Sequence, residues 1–191
     1  MERRMLSHRQ YCMVRYLSIL AATLALCAGS KAATLQQLTL DQMTQASTAI
    51  VRARVTSATA SFTGSTIYTH YKLQVTESWK GFAPTEVAIP GGVAGGFRQS
   101  FPGMPTLTVG TEYVMFLWTS STTGITHLTG LAQGLFNLSA QSDGSTLATR
   151  PLIGEMMLDA SGHKVSDRAV VMSLTSLKAN VRTTLASGAA Q

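Results

Sequence analysis

The stretch "TAIVRARVTSATASFTGSTIYTHYKLQVTESW", Thr48 to Trp79, decides how this chain folds. In its first half Ala49, Val51, Ala53 and Val55 alternate with Ile50, Arg52, Arg54 and Thr56, a period of two with one mostly apolar face. The second half repeats the pattern. Ile67, Thr69, Tyr71, Leu73 and Val75 point one way, and Tyr68, His70, Lys72, Gln74 and Thr76 point the other. A glycine-bearing turn, "FTGST", joins them, so the two halves read as a β-hairpin.

Outward from that hairpin the strand signals continue. "WKGFAP" breaks the pairing, and "TEVAIP" is a short third strand halted by Pro90. In "TLTVGTEYVMFLW" the run "YVMFLW" is apolar on both faces, as expected of a strand covered on both sides or lying at a barrel centre. "GITHLTG" and "GLFNLSA" are two further short strands. "SDGST" is a turn leading into an arm around "LATRPL", and "LDASGHKV" is one more turn.

A helix is expected at each end. In "LTLDQMTQAS" (Leu38–Ser47) Thr39 is the N-cap, Asp41 sits in the first turn, and Leu40, Met43 and Ala46 share a face. Near the C-terminus Val170, Leu174, Leu177, Val181 and Leu185 form a helical stripe, which predicts an amphipathic helix over 166–187. Ser166 would cap it, with Asp167 in its first turn, Arg182 near its end, and a frayed tail over 188–191. The apolar stripe is expected to pack on the barrel or sheet. Strands at turn-punctuated intervals between two helices predict a mainly-β fold, a small antiparallel OB-like barrel or a sandwich. Strand and helix do not alternate, which argues against a doubly wound parallel sheet.

The first residues carry a different signal. Arg3, Arg4, Arg9 and Arg15 precede the apolar run "LSILAATLALCA", which ends in the small residues of "GSKAAT". A basic head, an apolar segment and a small-residue exit describe a secretory signal peptide over 1–32, cut before Ala33. The apolar run is shorter than the ~20 residues of a membrane span. Export to the periplasm or outside the cell is the expectation, with a single domain over 33–187. Cys27, in "LALC", sits where a lipoprotein's acylated cysteine would sit, although Leu26 stands where a small residue is usual. A membrane is therefore an expected partner only if the leader is retained as an anchor or Cys27 is lipidated.

Cleavage changes the chemistry of what remains. Both cysteines, Cys12 and Cys27, depart with the leader, so the mature domain has neither a disulfide nor a thiol nucleophile. Of fifteen basic residues five precede Ala33, as does one of nine acidic ones, leaving ten against eight, a net +2. The basicity of the whole chain belongs largely to its leader and gives no reason to expect a nucleic-acid partner.

One segment invites a ligand. "IPGGVAGGFRQSFPGMP", Ile89–Pro105, holds five glycines and three prolines. A P-loop would need Gly-Lys-Ser/Thr opening a helix, and a dinucleotide fingerprint needs G-x-G-x-x-G between strand and helix. Phe97, not lysine, follows Gly96, the dinucleotide spacing does not occur, and Pro102 and Pro105 prevent a helix from following. The segment therefore reads as a long loop over 91–105, and Phe97, Arg98 and Phe101 are its candidate binding residues. The two phenylalanines either face a partner or fold back as a lid.

Catalytic signals are sparse. His70, His127 and His163 form no metal-ligand spacing, and G-x-S-x-G is missing. Seven dispersed carboxylates, from Glu77 to Asp167, include no pair that announces glycosidase chemistry. The "EMM" run with His163 nearby resembles a soft copper-ligand set but reads as core filler. No catalytic residue, metal ligand or cofactor is assigned.

Taken in order, "STAIVRARV", "IYTHYKLQVTESWKG", "GMPTLTVGTEYVMFL" and "LTGLAQGLFNLS" resemble a group of uncharacterised secreted bacterial proteins. Their small barrel is similar to OB-type folds, including the netrin/TIMP-like module. The resemblance spans roughly Ser47–Ser139 and implies a fold. TIMP-type inhibitors use an N-terminal cysteine and disulfides that the mature chain lacks, so no functional residue is carried over. The function expected is an exported, non-enzymatic binding or accessory module for a protein, peptide or glycan, acting through loop 91–105. The alternatives are a hydrolase or metal-dependent enzyme using His70 or His127 with dispersed carboxylates, and a lipid-anchored envelope structural protein.

Overall fold

The computed structural model describes residues 34–188. The expected leader, Cys27 and the tail beyond residue 188 lie outside them. In chain order the elements begin with β1 (Thr34–Gln36), α1 (Leu40–Ala46), β2 (Ala49–Thr63) and β3 (Thr66–Lys80). Next come β4 (Glu86–Pro90), β5 (Gly92–Ala94), β6 (Phe97–Gln99), β7 (Glu112–Thr119) and β8 (Thr126–Leu128). A 3-10 turn, Leu131–Gly134, leads to β9 (Leu135–Ala140), β10 (Thr146–Arg150), β11 (Met156–Leu158) and β12 (Lys164–Val165). β13 (Val170–Ser173) and α2 (Leu174–Gly188) complete the series.

The fold is mainly β, and its principal sheet is antiparallel throughout. It runs β13-β10-β9-β7-β2-β3-β4, with β8 pairing the far end of β7. No ladder joins β4 to β8 or to β13, so strand pairing does not close it into a barrel. Beside it, β1 pairs in parallel with β11, β12 adds to β11, and β5 and β6 form a small hairpin.

The β2–β3 hairpin is the spine of the sheet. Register shifts at Ile50/Val51, Arg52/Ala53 and Val55/Ser57 mark where the long ladder is irregular, and irregularities of this kind bend a strand and increase its twist. The first half of β2 pairs with β7 over residues 49–54, while β4 covers the second strand over 68–72. At the end of β3, Gly81 adopts a φ of +65°, and a Cβ there would lie 2.0 Å from the Thr48 carbonyl oxygen. Only glycine permits that approach.

Apolar side chains fill both faces of the sheet. On one face Ala49, Val51, Ala53 and Val55 of β2 meet Tyr71, Val87, Leu128 and the odd-numbered side chains of β7, Tyr113, Met115 and Leu117. On the other, Ile50, Val114, Phe116 and Phe136 pack beneath Met43 of α1 and Leu177 and Val181 of α2. β7 therefore serves two cores at once, which is why Tyr113–Leu117 are apolar and buried on both faces while Trp118 beyond them is exposed.

The helix at Leu40–Ala46 forms as its sequence predicts. Thr39 Oγ1 accepts from Gln42 N at 3.1 Å while Gln42 Oε1 accepts from Thr39 N at 2.9 Å, a reciprocal capping box. Lys80 Nζ donates to the carbonyls of Thr44 and Gln45, placing a cation at the negative end of the helix. Buried Gln133 fastens the incoming segment: its Oε1 accepts from Leu38 N and its Nε2 donates to Gln36 O.

Two expectations need correction. The C-terminal helix starts at Leu174, not at Ser166, because Val170–Ser173 completes the sheet edge opposite β10, with Val171 facing Thr149. Ser173 Oγ, not Ser166, accepts from a first-turn amide, that of Ser176. The segment 91–105, expected as one long loop, contains the β5–β6 hairpin, its strands joined through Gly95 and Gly96.

Candidate functional site

Alternation along three strands brings three rings together. Tyr68 and His70 lie on the outward face of β3, opposite Pro90 and Ala88 of β4. Trp118 near the end of β7 is directly opposite His127 of β8. The His127 ring lies 5.2 Å from that of Trp118, tilted 36°, and 6.1 Å from that of Tyr68, tilted 52°. Its Nδ1 is 3.1 Å from the Ala88 carbonyl oxygen, a contact that spans the gap between β8 and β4 and fixes the ring.

These rings line a groove of about 250 Å³, completed by Met104, Leu128 and Leu131. Leu131 holds a φ of +61° directly after Gly130 at +65°, the one left-handed non-glycine residue among those described. A leucine in this conformation costs on the order of 1–3 kcal/mol and persists only where its surroundings enforce it. Here the turn is held by Ala132 N donating to Gly103 O, which also ties it to the glycine-rich segment.

That segment divides its three predicted binding residues. Gln99 folds the β5–β6 hairpin onto the β2–β3 turn, its Oε1 accepting from Ile67 N at 2.7 Å and its Nε2 donating to Ser65 O at 2.9 Å. Gly92 must be glycine, because a Cβ would sit 2.4 Å from Thr69 Oγ1. Phe97 is 66% exposed and meets only the edge of exposed Phe62, ring centres 6.3 Å apart. Phe101, 40% exposed, lines a second cavity of about 230 Å³ with Arg98, Tyr71, Thr69 and Met104. Arg98 and Phe101 thus share a cavity, and Phe97 stands outside it. The cavity and the aromatic groove share Ile89, Pro90 and Met104 as a common wall.

His70 lies further along the same face, its Nδ1 2.8 Å from Glu86 Oε1. The pair edges a cleft of about 350 Å³ that also includes Phe82, which is 92% exposed, and Thr123–Thr126. His163 approaches Asp159 at 3.6 Å in an exposed turn. Among the described residues no three His, Cys, Asp or Glu side chains are grouped to hold a metal ion.

A charge cluster occupies the helix-covered side. Arg52 reaches Glu112 at 2.7 Å and Glu77 at 3.2 Å, and Lys178 of α2 also pairs with Glu77. The hydrogen bond to Glu112 raises the Arg52 pKa, and the hydrogen bond from Lys178 holds the Glu77 carboxyl below its ordinary value against burial. Arg52 is thus paired within the chain. Its neighbour Arg54 is exposed and donates to Gly110 O.

The residues that sequence reasoning missed are Tyr68, Trp118 and Leu131; His127 was considered only as a catalytic or metal-ligating histidine. The available signal was an outward tyrosine and histidine in "IYTHY" and a tryptophan closing an otherwise buried strand. Placing them together required the register of β7 on β8 and the curl that brings β8 to β4. No family model matches the sequence, and no curated protein matches it.

Proposed function

We propose that this protein is an exported, non-catalytic binding module whose ligand lies along the groove of Tyr68, Trp118 and His127. The observation that carries this reading is the convergence of three rings from three strands on one apolar groove beside a strained turn. Aromatic faces with a few fixed polar groups are the usual makings of a recognition site. Arg98 and Phe101 line the adjoining cavity, which meets the groove at Ile89, Pro90 and Met104 and offers it an extension.

A finer fold assignment supports the same face. The order β2-β3-β4 on one side of β7 and β8 on the other is OB-like, with the His127–Ala88 contact bridging the seam. OB folds bind oligosaccharides and oligonucleotides on the face of their second and third strands, here β3 and β4. The near-neutral mature domain favours the uncharged member of that pair, so the ligand class is a glycan chain. The basic head, apolar run and small-residue exit of residues 1–32 support export with cleavage before Ala33, to be checked by N-terminal sequencing of the secreted protein.

The test is a neutral-glycan array followed by titration of the best hit through intrinsic tryptophan fluorescence. Trp118→Ala should weaken binding at least tenfold with thermal stability nearly unchanged. Equal binding by parent and variant, or a blank array, would overturn the reading. The His70–Glu86 pair favours one second reading, a hydrolase with His70 as general base. Turnover of any bound glycan that His70→Gln abolishes would establish it.

A further inference from the structure

At the edge of the second core, on the helix-covered side, a cavity of about 240 Å³ is enclosed by α1, β10 and β13 and the segments leading into them. Its walls are largely apolar, formed by Leu38, Leu40, Met43, Phe136, Val170 and Met172. Polar residues interrupt them: Gln37 and Thr39 at the entry to α1, and the two arginines Arg150 and Arg168.

The polar accounting at this cavity does not balance. Arg150 is only 4% exposed, and burial pushes its guanidinium pKa down, with Asp167 opposing. Its Nη2 donates to Asp167 Oδ1 at a long 3.4 Å and to the Arg168 carbonyl at 2.9 Å, while its buried Nε has no partner. Asp167 is meanwhile committed elsewhere, accepting from Ile153 N at 2.6 Å and Arg168 N at 2.8 Å. The Arg168 side chain forms no ion pair among the described residues. Arg150 therefore depends on one oversubscribed carboxylate, and the exposed Arg168 side chain adds a second positive charge to the cavity lining. Buried guanidinium groups are ordinarily paired and hydrogen-bonded, and an acceptor is missing here.

We propose that this cavity is a binding site for a small monocarboxylate with an apolar tail. Its carboxylate lies between Arg150 and Arg168, and its tail runs along Leu38, Leu40, Met43 and Met172. A guanidinium fork matches a carboxylate geometrically, and the single surplus charge matches a monoanion. A multiply charged ion would be left undercompensated against apolar walls. The volume lies below the roughly 300–1,000 Å³ of drug-sized pockets, so the ligand is small. The site lies apart from the aromatic groove and shares no lining residue with it.

Calorimetric titration of the purified protein with sodium octanoate tests the proposal, with octan-1-ol and acetate as controls for tail without charge and charge without tail. Octanoate should bind saturably, one per chain, and raise the melting temperature. Both controls should bind at least tenfold more weakly. Arg168→Ala, at an exposed position, should reduce octanoate affinity at least fivefold, and Met172→Trp, which fills the cavity, should abolish binding. Absence of octanoate binding, equal affinity for octanoate and octan-1-ol, or an Arg168→Ala variant that binds like the parent would each overturn it. Arg150→Lys gives a further check: it keeps the charge, loses the fork, and should bind octanoate more weakly than the parent.

Discussion

Arg52 and Arg150 project from strands of one sheet, yet the chain treats them differently. The Arg52 side chain is 28% exposed and has two carboxylates within 3.2 Å, with Lys178 balancing the second of them. That of Arg150 is 5% exposed, with a single carboxylate at 3.4 Å that three donors share. Nε of each is without a partner. Both Nε atoms are buried, so the two arginines differ in their carboxylates: Arg52 has two within 3.2 Å, whereas Arg150 shares its only one with two backbone amides. A fold that over-supplies the accessible cation and under-supplies the buried one is arranged for something other than maximal stability.

Four measurements bear on that contrast. Asp167→Ala should have the largest effect, because it strands a buried guanidinium. A loss of about 3 kcal/mol or more is expected, read from the midpoint of urea unfolding at unchanged slope. Glu112→Gln and Glu77→Gln should each cost less than about 1 kcal/mol, since their pairs with Arg52 are partly solvated and screened. If either matches Asp167→Ala, the distinction between the two arginines fails.

The third measurement is pH dependence. Lys178 holds the Glu77 carboxyl below its ordinary value of 4.5, so the folded state releases that proton more readily than the unfolded one. The resulting stability is present above 4.5 and is lost as pH falls below it through the lowered folded value. Lys178→Met should flatten the acid limb of a stability–pH curve, and an unchanged limb would remove Lys178 as the cause. Arg54→Gln should have the smallest effect, within about 0.5 kcal/mol, because this exposed arginine donates only to a loop carbonyl.

Much of the sheet was legible in the sequence because its signals are local. The period-two faces of β2 and β3, the doubly apolar β7 and the Thr39 cap each depend on residues within a few positions of one another. The start of α2 was not legible, since Val170 sits four residues before Leu174 and fits a helical stripe as well as a strand. An open edge on β10 decided between them, and no local pattern records it. Phe97, Arg98 and Phe101 stood out through closeness in sequence, but their division between open surface and cavity depends on the hairpin between them. Tyr68, Trp118 and His127 were hidden for the opposite reason: they are neighbours only across ladders. Arg150 gave still less warning, a lone arginine before a proline at a strand end.

The hydrogen bond from Thr184 of α2 to Asp41 of α1 spans 143 positions of sequence. It fastens the first helix to the last, so in connectivity the domain behaves as a ring that happens to be cut. Most of the entropy of closing so large a loop is spent when the sheet assembles, since loop length enters only logarithmically. Loosening either helix would then expose the other, although nearly the whole described sequence lies between them. Resistance to unravelling would belong to the two helices jointly and be lost jointly.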